Sequence, residues 1–429
     1  MLIKNARWLN SEGEFIESDI HIKNGRITEL SASILSNDNE ILDAKDYVII
    51  PGAIDPHVHF REPGQFYKEG ILSGSKAALR GGVTTVLDMP NNKPPCTTAK
   101  RIAQKKDLFR NKSLVNYGVM LHTTPYNTEN LNDQIISAKI YMAKSSALPA
   151  ITSVETLNRL FQKYLTVSIH AEDETEFDLN PDHSPLHHVY RPRKAITCAL
   201  QKIESALKTI KTASRPRVII CHMNTADEVI WMAGMKKEGF DIWGETCPHY
   251  LYFTQNDYIK KGAAFQVNPP IRTKEDQQKL REGIASGIID FIGTDHAPHS
   301  QEEKASAKPP SGIAAIEWLL PQLLYFVDQG SLTWKRFHEL ICLRAAECYR
   351  IKGRNGIKTG NFADLVFLKK STKAENIIQT KAGQNLYKNF DFKWNVALTM
   401  VNGIIKFDGR QFHTQIKGME VQLEDSRQG

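Results

Sequence analysis

A chain of 429 residues is too long for one ordinary core, whereas an α/β barrel of about 250 residues plus a smaller domain accounts for it. Its 41% hydrophobic and 24% charged content is that of a packed globular protein and excludes fibrous and low-complexity classes. The net charge of +7, from 55 basic against 48 acidic residues with the lysines scattered, argues against a nucleic-acid groove; it serves solubility and also suits an anionic small substrate.

The N-terminal MLIKNARWLN lacks a signal pattern, and no apolar run approaches the roughly 18 residues of a membrane helix, so a cytoplasmic protein without membrane association is expected. Cys96, Cys198, Cys221, Cys247, Cys342 and Cys348 form no CxxC pair and read as reduced core residues. Residues 1–50 carry strand-like pieces with little helical periodicity (MLIKNARWLN, SDIHIKNGRITEL, EILDAKDYVI). Short apolar runs then recur: YVIIPGAIDPHVHF, VTTVLDMP, LVNYGVML, AKIYMA, LTVSIHAE, RVIICHMN, DIWGETCPHYL and FIGTDHAP. Between them, stretches such as SVETLNRLFQKY space apolar residues by three and four, as amphipathic helices do. This alternation predicts a (β/α)8 TIM-like barrel over residues 51–349. From about residue 350 the strand style returns, in GIKTGNFADLVFLKK and WNVALTMVNGIIKFDG. Residues 1–50 and 350–429 are therefore expected to form a small β-sandwich domain beside the barrel.

Each run begins apolar and turns polar at its C-terminal end, the active-site face of such a barrel. His57 and His59 stand there, two apart on a strand and so on one face. An HxH pair alone is a weak sign of metal. The sign strengthens because His170, His222 and Asp295 hold the same relative place on the fifth, sixth and eighth runs. Four imidazoles and a carboxylate converging on one mouth point to a divalent metal. On the fourth run the matching residue is Lys139. Two readings of it stand: a lysine snorkelling to solvent, or an amine converted by carbon dioxide to a carbamate, whose two oxygens can bridge two cations.

PGAIDPHVHFREPG, GGVTTVLDMPNN, KIYMAKSS, SIHAED, ETCPHYLYFT, NPPIR and GTDHAPH together resemble the cyclic amidohydrolases of the amidohydrolase superfamily, and among them most closely the dihydroorotases. The resemblance runs from about residue 45 to 320, with GIKTGNFADLV in support. It implies two divalent metal ions, zinc first among several suited to these ligands. His57 and His59 would hold one and His170 and His222 the other, with carboxylated Lys139 bridging. Asp295 would ligate and move protons, and a hydroxide shared by the metals would be the nucleophile. The implied reaction is the reversible opening of dihydroorotate to N-carbamoyl-L-aspartate in pyrimidine synthesis. Arg61, Asn92 and His299 would clamp the substrate carboxylate; Asn268, Ser311 and Gly312 would meet the ring, and His59 would touch substrate as well as metal. Allantoinases typically read NEPG where this chain reads REPG, a change that removes the cation. The competing readings are a hydantoinase- or dihydropyrimidinase-like enzyme, an allantoinase, and a non-catalytic scaffold of the same fold. A homodimer and docking to aspartate transcarbamoylase are the partner expectations. The chain departs from the pattern at Ile196, where many dihydroorotases carry glutamate, and at Asn224, where serine is usual. His249 and His296 are expected to hydrogen-bond behind the ligands, and His187 and His188 to be solvated.

Overall fold

The computed structural model of the protein describes residues 1–35, 40–127, 129–145, 147–178, 186–371 and 378–424. The strands are, in chain order, β1 (Leu2–Leu9), β2 (Phe15–Lys23), β3 (Arg26–Ser31), β4 (Ile41–Asp43), β5 (Val48–Pro51), β6 (Ala53–Val58), β7 (Val83–Asp88), β8 (Asn116–Val119), β9 (Leu121–His122), β10 (Ala138–Tyr141), β11 (Thr166–His170), β12 (Arg217–Met223), β13 (Ile242–Thr246), β14 (Phe291–Ile292), β15 (Leu365–Lys370), β16 (Trp394–Val401) and β17 (Ile404–Phe407).

Every predicted run contains at least one of these strands. β6, β7 and β8 pair in parallel, as do β9 to β14 in sequence order. The run LVNYGVML is split between β8 and β9, so it spans from one parallel sheet to the other. A parallel bridge from Val58 to His296 then ties the first strand to the segment after the last. β7 (VTTVLD) and β11 (TVSIH) are buried at every residue, as expected of strands covered on both faces. Helices cover them: Val154–Lys163 turns Leu157, Leu160 and Phe161 inward, and Ile71–Arg80 packs so closely that a Cβ on Gly74 would lie 2.5 Å from the Phe60 ring.

The two chain ends meet in one sheet of eight strands, ordered β17-β16-β15-β5-β1-β2-β3 with β4 beside β1. Its antiparallel join between β15 and β5 feeds directly into β6, so this sheet anchors the strand that carries His57. Among the described residues no helix is long and apolar enough to cross a membrane. None of the cysteines is in a disulfide, and all but Cys198 are buried.

Candidate active site

A cavity of about 690 Å³ opens at the C-terminal ends of the parallel strands. His57, His59, Arg61, Asn92, His170, His222, Asn268, Asp295, His299, Ser311 and Gly312 all line it. Of the predicted site residues, Lys139 alone is not in its wall. It lies below the imidazoles, fully buried, with Nζ 2.9 Å from Cys221 Sγ. It does not snorkel, and among the described residues no carboxylate pairs with it. Its charge depresses the basicity of His57, His170 and His222, which places it close to all three.

The imidazoles form two groups. His57 Nε2 and His59 Nε2 face Asp295 Oδ1 at 3.4 and 3.1 Å. His170 Nδ1 faces His222 Nε2 at 2.9 Å. The opposite ring nitrogens meet acceptors: His57 Nδ1 donates to Glu245 Oε1 (2.7 Å), His59 Nδ1 to Asn91 Oδ1 (2.8 Å) and His170 Nε2 to Glu172 Oε2 (3.2 Å). Such outer acceptors fix a ring's tautomer and leave its inner nitrogen as a lone-pair donor. Burial disfavours the His57 imidazolium, yet the Glu245 and Asp295 carboxylates together outweigh it and raise the group to about 10. Burial wins at His59, pushed down to about 4, and at His222, held well below the ordinary range. Burial also opposes ionisation of Asp295, but the facing His57 and His59 rings outweigh it and hold the carboxyl far below the usual carboxylate range.

This donor set fits divalent metal. Ligand atoms of His57, His59 and Asp295 lie within 4.8 Å of one another, all buried, as do those of His57, Cys221 and Glu245. Buried polar atoms at the same place, His222 Nδ1, Glu172 Oε1 and Glu245 Oε2, have no hydrogen-bond partner.

The opposite wall is cationic. Arg61 donates Nε to Pro298 O (3.2 Å), and its NH2 lies 3.0 Å from His299 Nε2. β6 ends at Val58, and Arg61 sits at φ 62, so it reaches the cavity through a left-handed turn and not by strand alternation. Its neighbour Glu62 is no partner; that carboxylate pairs with Lys112 and accepts from Ile71 N (3.1 Å). Burial, with Arg61 and Lys68 nearby, holds His299 far below the usual imidazole range. Asn92 donates Nδ2 to Glu62 O (3.0 Å). Asn268 Oδ1 accepts from His187 Nε2 (2.8 Å), which corrects the expectation of a solvated His187: the Asn268 amide in the cavity wall holds its ring. Ser311 Oγ accepts from Gln266 Nε2 (3.2 Å), and Gly312 N donates to Gln266 O (2.9 Å).

His296 Nδ1 accepts from Ala315 N (3.1 Å), as anticipated, but His249 is fully buried with both ring nitrogens unpartnered, its ring edge-on to Tyr250 at 4.2 Å. Sequence reasoning passed over Glu172, Arg191 and Glu245. Arg191, in the cavity wall, donates Nε to Glu172 Oε2 at 3.0 Å. Glu172 in SIHAED and Glu245 in WGETCPHY are themselves polar residues at the ends of apolar runs, so the signal that found the histidines also covers them. Ile196 is buried in the helix Arg193–Lys208, and Asn224 donates Nδ2 to Pro270 O (2.7 Å); neither departure lines the cavity.

Residues 48–406 match the model of the amidohydrolase family, and the chain belongs to that family. It is 30% identical over 423 residues to the dihydroorotase of Anoxybacillus flavithermus, covering 94% of this chain and 97% of that one. With the dihydroorotase of Pyrococcus furiosus it shares 32% identity over 404 residues, 91% of each chain. Among solved structures it is similar to the L-hydantoinase (dihydropyrimidinase) of Arthrobacter aurescens, with a TM-score of 0.90 and 25% identity over 98% of this chain and 99% of that one.

Proposed function

We propose that the protein acts as a dihydroorotase, hydrolysing the ring amide of dihydroorotate to N-carbamoyl-L-aspartate and closing that ring in reverse. Arg61 carries this reading: a buried guanidinium against His299, in the wall of the cavity that holds the imidazoles, is a receptor for a carboxylate. The dihydroorotase relatives support it. The likeness to a hydantoinase makes neutral rings the second reading, and against it stands the cost of leaving a buried cation without a counter-charge. We read the parallel strands as one closed (β/α)8 barrel over residues 51–349, with residues 1–50 and 350–429 as a small β unit beside it.

His57 and His59 with Asp295 would hold one divalent metal and His170 and His222 a second, zinc being the first choice, with Lys139 as a bridging carbamate. Bound metals supply water of lowered pKa and a polarised carbonyl. Arg61, Asn92 and His299 hold the substrate carboxylate, while Asn268, Ser311, Gly312 and His59 orient the ring. As the water oxygen bonds to the carbonyl carbon and the C–N bond breaks, Asp295 takes the water's proton and delivers it to the departing ring nitrogen. The test is metal content alongside turnover of dihydroorotate, hydantoin and allantoin. Dihydroorotate should be preferred by at least about tenfold, the worth of one charge-assisted hydrogen bond; a preference for either neutral ring overturns the reading.

A further inference from the structure

Behind the cationic wall lies an ion pair that the chemistry above does not use. Lys105 extends from the helix Ala99–Lys112 into the interior, where it and Asp88 are both fully buried and in ionic contact. Besides Asp88, the Lys105 ammonium meets Met89 O at 2.6 Å and Asn92 Oδ1 at 2.9 Å. Asp88 Oδ1 in turn accepts from Phe60 N at 2.8 Å. One buried pair therefore touches both arms of the clamp: the backbone next to Arg61 and the side chain of Asn92.

Each contact has a directional consequence. An ammonium only donates, so the amide atom facing Lys105 must be oxygen. The Asn92 Nδ2 group is thereby turned away, giving one N–H to Glu62 O at 3.0 Å, and no second acceptor meets it among the described residues. At the other arm, Arg61 holds φ 62, a region costly for a residue with a side chain unless its surroundings impose it. The bonds that impose it flank it on either side: Phe60 N to Asp88, Gln65 N to Arg61 O at 2.9 Å, and Asn92 Nδ2 to Glu62 O.

We propose that Asp88 and Lys105 form a positioning unit for substrate selectivity, Asp88 fixing the turn that aims Arg61 and Lys105 fixing the amide orientation of Asn92. The inference rests on the dihydroorotase reading and adds to it residues that touch neither substrate nor metal.

Lys105→Met alone leaves Asp88 buried without its cation, so the working variant is the charge-neutral Asp88→Asn/Lys105→Met, in which the introduced amide oxygen can still accept from Phe60 N. Metal-loaded wild type and variant are assayed on dihydroorotate and on hydantoin. For dihydroorotate, kcat/KM should fall at least about tenfold, mainly through KM, since a hydrogen bond to a charged group is lost. Turnover of hydantoin and metal content should stay within about twofold of wild type. In an Asn92→Ala background the same double substitution should cost much less, because the side chain it orients is gone. Equal losses on both substrates would show the pair to be core structure only, and the same fold-loss with and without Asn92 would overturn the role of Lys105 in orienting that amide. Wild type that does not favour dihydroorotate would instead overturn the functional reading beneath the proposal.

Discussion

Arg61 and Lys139 are both basic side chains removed from water, yet only Arg61 has polar partners that orient it toward the cavity. Replacing Arg61 with methionine keeps most of the stem and removes the fork, so kcat/KM for dihydroorotate should fall at least about tenfold while turnover of a neutral ring changes little. Equal losses on both would make Arg61 a structural residue. Lys139 has a different environment: full burial beside Cys221, beneath His57, His170 and His222, with no acid among the described residues to balance it. Lys139→Ala should bind less than the wild-type complement of metal, and turnover should drop at least about a hundredfold, with partial return on adding a small carboxylic acid. Full metal content in that variant would leave Lys139 an ordinary lysine. The histidines were legible because each is polar at the end of an apolar run. Lys105 was not, since in AKRIAQKKDLFRNK it is one of several lysines on a helix, and only the packing shows that this one points inward.

At the scale of elements, the strands were legible because burial on both faces leaves continuous apolar runs, whereas the turns that aim the site leave no such trace. Arg61, His222 and Asp295 all have positive φ, a conformation that no residue pattern announces in a non-glycine residue and that concentrates at functional sites. The loop after β14 shows the same dependence on tertiary contacts. Lys304 ties it down through Ala263 O, Gln266 O and Pro310 O at 3.0, 3.2 and 3.0 Å. In that loop Gly312 has φ 137, and a Cβ there would lie 2.4 Å from Ala297 O. Gly312→Ala should therefore displace the rim, raising KM for dihydroorotate severalfold and costing about 2 kcal/mol of stability. Gly287→Ala is the control: it caps the helix Lys274–Ser286 at φ 82 with nothing near its Cβ, so it should lower the melting temperature without moving KM. Matching KM changes in the two variants would remove the special role of the rim.

The whole molecule buries imidazoles well beyond the metal centre, and this sets how it meets acid. His338 has no exposed surface, both its ring nitrogens lack partners, and burial pushes it down to about 4. His122 is likewise pushed to about 4 by burial. In the unfolded chain each titrates near 6.5, so between about pH 6.5 and 4 the unfolded state binds protons that the folded state refuses. Stability from such a group is complete above pH 6.5 and is lost as pH falls toward the folded value. The loss runs at about 1.4 kcal/mol per pH unit for each histidine, or roughly 3 kcal/mol over the window. The metal ligands titrate too, so the wild-type curve alone cannot isolate this effect; a difference between two metal-loaded proteins can. His338→Gln removes one titrating ring from the helix Trp334–His338, outside the cavity lining. Its unfolding free energy, measured by urea denaturation from pH 8 to 4, should start at or below that of wild type and then fall less steeply, the curves converging by about 3 kcal/mol at the acid end. Parallel curves would mean that His338 accepts its proton in the folded protein and contributes nothing to the acid lability.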